Sequence, residues 1–384
     1  MPSQTVTIEK LVFGGAGLAR TANGVVFVND VAPGETVEIE ITGKQGGVAH
    51  ARPVKIVKPS PARRTPACPL YGKCGGCDWL HIDYKTQVEC KKEMTLECMR
   101  RIGRIENLTA PDVISAEEFG YRRRAQIKID INGNAGFFAR RTNDVVPVRQ
   151  CPLLVDALNK LLNKIADKKV SLPGALINLK AIAGDDGHIA SAPAIAGETS
   201  ESVIITVKNR TFEVLGSGFF QSNCFLLERL VAWADAKVGG TACVDLYGGC
   251  GFFSIMLADR FKEGLLIESS GAEAAAARAN FNRNGINHFR AAQGAAENLI
   301  SLAGSIAVDC LIVDPPRPGL SLLVREAIVA LKPKKILYVS CNPSTQARDA
   351  ATLIAAAGYT ISHAAIVDLY PNTSHVESLL VLDR

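Results

Sequence analysis

The chain has 384 residues, 47% hydrophobic and 21% charged, an ordinary balance for a folded chain of two or three domains. No run of about 18 apolar residues occurs, which excludes a transmembrane helix. The start, MPSQTVTIEK, lacks the basic-then-apolar order of a secretory signal, so a cytoplasmic protein with no membrane partner is expected. Net charge is only +5, but residues 1–149 carry 22 Lys/Arg against 16 Asp/Glu and the remainder 21 against 22, so an N-terminal half facing a polyanion competes with an ordinary solvated surface.

Residues 1–58 read as short strands. TVTIEKLVF, GVVFVND, ETVEIEITG and AHARPVKIVK are rich in β-branched residues, and GGAG and APGE punctuate them as turns. Such a run predicts a small β-barrel. VKPSPARRTPACP reads as a linker, and Arg52 to Arg64 holds five basic residues and no acidic one. YKTQVECKKEMTLECMRRIG predicts an amphipathic helix with Val88, Met94, Met99 and Ile102 on its apolar side. Residues 59–215 form a mixed α/β middle, with strand-like YRRRAQIKIDI, ESVIITVKN and TFEVLG and one helical stretch, LLVDALNKLLNKIADK. Residues 216–384 alternate strand and helix. ACVDLY, GLLIES, DCLIVD, KKILYVSC, YTISHAAIVDL and ESLLVLDR are the strands, and the rhythm argues for a doubly wound α/β sheet.

Chemistry gathers at the ends of those strands. VDLYGGCGFFS closes a strand and opens a helix, where glycines allow close approach of a ligand and helix N–H groups are free. Glu268 ends the next strand, nineteen residues after Gly249, a spacing at which a carboxylate can accept ribose hydroxyls. The competing reading is a glycine turn that serves packing alone. Asp314 ends a later strand in LIVDPPRPG; amine methyltransferases place an aromatic after such prolines, and this chain has Arg317. Cys341 lies between a strand and a helix in KKILYVSCNPST, where a helix N-terminus is expected to lower the thiol pKa. Uracil C5 cannot attack a methyl sulfonium unaided; thiolate addition at C6 makes an enolate that can, and a base must then remove the C5 proton. Glu377 in YPNTSHVESLLVL opens the last strand and suits that base, with His375 two residues earlier. Taken singly, a cysteine after a strand is more often core, and a glutamate before an apolar run is more often a solvated strand end.

Together, YVSCNPSTQARD, YPNTSHVES, LIVDPPRPG, FFQSN and VDLYGGCG resemble the RNA 5-methyluridine (uracil-C5) methyltransferase family. The resemblance implies a class I Rossmann-like, S-adenosylmethionine-dependent domain over 216–384, with Cys341 as nucleophile, Glu377 as general base, and Gln221, Tyr247, Glu268 and Asp314 holding S-adenosylmethionine. Relatives often have Asn where this chain has Phe252, a departure from the family's cofactor contacts. The N-terminal strands resemble a TRAM domain, an OB-like RNA-binding barrel, with Phe13 and Phe27 as its aromatics. YRRRAQ resembles the family's YRxRA segment and points to Arg124 as a contact to the flipped uracil or its phosphates.

CPLYGKCGGC supplies Cys68, Cys74 and Cys77, and a closed site needs a fourth ligand; zinc and an iron–sulfur cluster both suit such thiols. The resemblance to the family's cluster-bearing branch implies a [4Fe–4S] cluster completed by Cys151 in VRQCPLL, with a structural or RNA-orienting role. That branch acts on large-subunit (23S) ribosomal RNA, so RNA is the expected partner of a monomeric enzyme. The alternatives are a transfer-RNA uridine-C5 methyltransferase and a catalytically inactive iron–sulfur RNA-binding protein.

Overall fold

The computed structural model describes residues 4–106, 108–168 and 176–384. Alternation builds the N-terminal sheet: in Thr36–Gln45, Val37 and Ile39 turn inward while Glu38 and Glu40 turn outward. This strand pairs with Gln4–Thr7 and with Val48–Lys58, and the sheet continues through Gly24–Val28, Gly17–Thr21 and Lys10–Leu11. Val6, Ile8, Val26, Val28, Val37 and Ile39 fill its interior.

Helix Tyr84–Arg101 starts where Asp83 accepts a hydrogen bond from the Thr86 N–H at 3.0 Å. Met94 and Met99 are buried on it as expected, but Ile102 lies beyond the last turn and is 47% exposed. Lys91, in its middle, is fully buried and donates to Asp368 Oδ1 at 2.6 Å and to the Tyr370 carbonyl at 2.9 Å. Removing one partner of such a pair costs about 3–5 kcal/mol, so this lysine fixes the segment beyond Asp368 to the helix.

The middle region is an antiparallel sheet in the order Val145–Pro147, Ala135–Phe138, Arg124–Asp130, Leu176–Ala183, Ile189–Ala192, with helix Asp156–Lys168 packed on it. A hairpin, Ser202–Val207 with Arg210–Leu215, leads into the C-terminal sheet.

That sheet has eight strands in the order Phe289–Gln293, Glu263–Glu268, Ala242–Leu246, Cys310–Val313, Lys335–Ser340, Glu377–Asp383, Thr360–Val367, Asp112–Ile114. The first five run parallel, and Glu377–Asp383 is inserted antiparallel. Two strands of this sheet went unread in the sequence. Phe289–Gln293 has one bulky apolar residue, and Asp112–Ile114 is a short edge strand far from the rest in the chain. Strand order reverses at Ala242–Leu246, so the crevice at its carboxyl end is where a doubly wound sheet binds ligands. Among the described residues no helix is long and apolar enough to cross a membrane.

Candidate active site

A cavity of about 800 Å³ opens at that carboxyl edge, and Gln221, Tyr247, Glu268, Asp314, Cys341 and Glu377 all line it. On one side the chain leaves Ala242–Leu246 through Tyr247, held in the left-handed region (φ 65°), and Gly249 (φ 53°). A Cβ on Gly248 would lie 2.4 Å from Leu266, so only glycine lets this turn settle on the neighbouring strand. Gly249 N–H and Ser270 N–H donate to the two carboxylate oxygens of Glu268 at 3.1 and 2.7 Å, which fixes that side chain at the cavity wall. Asp245, under the turn, accepts from the Ser254 N–H and hydroxyl at 3.1 and 2.6 Å; burial nonetheless lifts its pKa to about 7. Phe252 points away, into an aromatic group with Phe212, Phe220 and Phe253, and makes no part of the cavity.

The other side follows from strand register. Lys335–Ser340 and Glu377–Asp383 are antiparallel with Ser340 opposite Ser378, which brings Cys341 and Glu377, the next residue on each side, together at the same end of the pair. Buried Gln346, on helix Pro343–Ala357, donates to the Tyr338 carbonyl at 2.9 Å and the Ser378 carbonyl at 3.1 Å, and Ser378 donates back to it at 2.6 Å. One side chain thus joins the cysteine-bearing turn to the glutamate-bearing strand.

Electrostatics correct one expectation. The Cys341 thiol is not lowered by the helix; it is pushed up to about 11, first by burial, then by Glu377 and Asp314, against a smaller pull from Arg317. The Asn342 side chain already accepts from the Ser344 N–H at 3.1 Å, so the helix terminus is partly satisfied. Burial first, then Asp314, holds the Glu377 carboxyl well above the usual carboxylate range, and burial with Asp245 raises Asp314. Arg317 lies 3.4 Å from the His375 ring, and both line the cavity.

The basic segment adds a residue that the sequence reading did not single out. Arg124 donates to the Gly218 carbonyl at 3.0 Å and lies over the ring of Phe219, which lines the cavity, so it stands directly behind that wall. Arg122 is the residue that reaches the cavity, and it also lines a second, smaller one of about 50 Å³. Alternation along the strand puts 122 and 124 on the same side, so sequence could not choose between them.

That smaller cavity is lined by Cys68, Cys74, Cys77 and Cys151 together. Among the described residues, however, no group of three or more His, Cys, Asp or Glu side chains is disposed to hold a metal ion. Cys90 and Cys98 lie on helix Tyr84–Arg101, with Cys98 Sγ 3.4 Å from the Ser344 hydroxyl. Gly75, Gly76 and Asp78 of the cysteine loop also line the large cavity, so this loop forms part of both walls.

Residues 197–384 match the family model of tRNA (uracil-5-)-methyltransferases, and residues 3–54 match the TRAM domain. A 23S rRNA (uracil(1939)-C(5))-methyltransferase of Halomonas elongata is 32% identical over 99% of this chain and 89% of its own. Its counterpart in Azoarcus is 31% identical over 99% of both. An uncharacterized RNA methyltransferase of Aquifex aeolicus is 31% identical over 98% of both. The crystal structure of the Pyrococcus abyssi tRNA (uracil-54, C5)-methyltransferase with S-adenosyl-L-homocysteine covers 99% of this chain and 100% of its own at a TM-score of 0.75; at 22% identity this is a likeness of fold.

Proposed function

Because the chain belongs to the RNA uracil-C5 methyltransferase family, we propose that it methylates C5 of a uridine in RNA through a covalent bond between Cys341 and uracil C6. The observation that carries this is the strand register that sets Cys341 against Glu377 in a cavity shared with Gln221, Tyr247, Glu268 and Asp314. S-adenosylmethionine supplies an electrophilic methyl group. Glu268, fixed by two N–H donors, is oriented to accept the ribose hydroxyls, and Gln221, Tyr247 and Asp314 close the same side. The Cys341 thiol gives up its proton to solvent, its sulfur bonds to C6, and the electron pair of the C5–C6 double bond moves toward C5 and O4. C5 takes the methyl group. Ionised Glu377 then takes the C5 proton, the C5–C6 double bond re-forms, and the sulfur leaves. A carboxyl held above the usual range is a stronger base once ionised, which suits Glu377 to taking a carbon-bound proton.

Four thiols line one cavity, and four cysteines are the ligand set of a [4Fe–4S] cluster, as the family's cluster-bearing branch has it. Cys68, Cys74, Cys77 and Cys151 would hold a [4Fe–4S] cluster, and the methyl transfer needs no electrons from it. The RNA is taken to be 23S ribosomal RNA, supported by the full-length identity to enzymes of that name. A cytoplasmic, monomeric enzyme completes this reading.

The test uses labelled S-adenosylmethionine and RNA. Cys341→Ala is expected to abolish transfer. Glu377→Gln is expected to methylate C5, fail to release the sulfur, and stay attached to RNA under denaturing conditions. Turnover by Cys341→Ala sinks the mechanism. Mapping 5-methyluridine in ribosomal and transfer RNA of a deletion strain decides the substrate.

A further inference from the structure

The two sides of the cavity are built differently. The Gln221, Tyr247, Glu268 and Asp314 side rests on the ends of the parallel strands and the segment leading into them. The other side is the segment 368–376, which carries Tyr370, Thr373 and His375 and delivers the chain to Glu377 with no regular secondary structure. Its shape comes from outside contacts, nearly all from the N-terminal half. Asn372, buried and left-handed (φ 66°), receives hydrogen bonds on its side-chain oxygen from Arg64 at 2.8 Å and Gln87 at 3.0 Å, and its N–H donates to Gln87 at 2.8 Å. Tyr121 donates to the Pro371 carbonyl at 3.0 Å.

The cysteine loop makes the contacts nearest the base. Asp78 directly follows Cys77. One of its carboxylate oxygens accepts from both the Ser374 N–H at 3.1 Å and the Ser374 hydroxyl at 2.9 Å. The Trp79 N–H donates to the Asn372 carbonyl at 3.1 Å, and the buried Trp79 indole donates to the Gly15 carbonyl of the barrel at 2.9 Å. Gly15 seals the junction: a Cβ there would lie 3.2 Å from both Asp78 and Ser374 side chains, at a φ of 93°. Cys77 is itself tethered by Arg140, which donates to its carbonyl at 2.6 Å.

We propose that Asp78 is a positioning residue. Held in place by the cysteine loop, its carboxylate fixes Ser374 and thereby sets His375 and Glu377 at the uridine side of the cavity, while the S-adenosylmethionine side forms without it. The cysteine centre then matters to catalysis through geometry: it holds the residue that holds the base-bearing segment. This rests on the assignment of Cys341 and Glu377 above.

The probe is a 23S ribosomal RNA transcript made with 5-fluorouridine, incubated with the iron-loaded enzyme and S-adenosylmethionine. Sulfur adds to C6 and C5 takes the methyl group, but fluorine cannot leave as a cation, so the adduct persists and is counted on a denaturing gel. Adduct formation needs no base, so its rate reads how the 368–376 segment seats the uridine against Cys341; Asp78→Ala removes a doubly used charged acceptor from that segment and is expected to lower the rate roughly tenfold or more. S-adenosylmethionine affinity, measured by calorimetry, stays within about twofold, as for sites that share no partner. Hydrogen exchange should quicken in residues 368–377. Asp78→Asn keeps an oxygen that can accept both Ser374 bonds and should restore most of the rate.

A normal adduct rate in Asp78→Ala, a parallel loss of cofactor affinity, or no rescue by Asn overturns the proposal. If Asp78→Ala sheds iron, Ser374→Ala with full iron content decides: a slowed adduct upholds the clamp and a normal one overturns it. Cys341→Ala runs alongside. An adduct in that variant sinks the underlying mechanism, whereas its absence beside a normal Asp78→Ala sinks only the clamp.

Discussion

At Cys341 two influences oppose each other: burial with the Glu377 and Asp314 carboxylates raises the thiol to about 11, and the Arg317 guanidinium lowers it. A negative neighbour disfavours thiolate, so neutralising Glu377 must make the sulfur easier to ionise, and neutralising Arg317 must make it harder. The rate of adduct formation in a single turnover should therefore rise with pH. In Glu377→Gln the rising limb should move toward acid by about one pH unit, and in Arg317→Met toward alkali by a similar amount. Stopped-time denaturing gels across pH 6 to about 10 measure both. A limb that stays put in both variants would show that the thiol ionises only inside the RNA complex, screened from these groups.

Among elements, the strand-to-helix turns were the most legible. The glycine turn, the Asp-Pro-Pro turn and the Ser-Cys-Asn-Pro turn each carry their chemistry in contiguous residues, and a parallel sheet gathers such turns at one edge whatever the details of packing. What sequence could not show was contact between distant segments. Nothing in the cysteine loop announces that Asp78 meets Ser374, 296 residues away. The thiol shift was misread because a helix terminus is visible in sequence, while burial of the thiol and then the nearness of Glu377 and Asp314 arise only on folding. Cys151 sits in another element from Cys68, Cys74 and Cys77, and their shared cavity makes the set testable. Anaerobically purified enzyme should carry about four irons with matching sulfide, the complement of a Cys₄-ligated cubane. Cys151→Ala should lose them, and Cys98→Ala, which lies against Ser344, should keep them. Stoichiometric zinc without iron would refute the cluster.

Over the whole molecule, the barrel is bound to the rest too closely to be cut away. Glu35 is fully buried in it and accepts from the Ala32 N–H at 2.9 Å and from Arg63, which lies beyond the last barrel strand. Leu11 and Ala32 pack with Trp79, Ile82 and Met94, so deleting residues 1–58 would strip a buried cluster and leave Arg63 unpaired. Substitution on its surface is the cleaner test. Lys55 and Lys58 are exposed on Val48–Lys58, beside Val54 and Val57, which are 56% and 50% exposed. They belong to the half of the chain that carries the basic excess, and the barrel's Gly15 turn abuts Asp78 and Ser374 at the cavity. RNA held on the barrel therefore lies within reach of the uridine pocket. Each phosphate contact contributes about 0.7 to 0.9 to the slope of log affinity against log salt. Lys55→Glu with Lys58→Glu should weaken binding of a 23S ribosomal RNA transcript at low salt and flatten that slope by roughly one to two. S-adenosylmethionine affinity should not move, because the cofactor side of the cavity contains no barrel residue. An unchanged slope in filter-binding titrations would remove this face from the RNA path and leave the barrel as a brace for the cysteine loop.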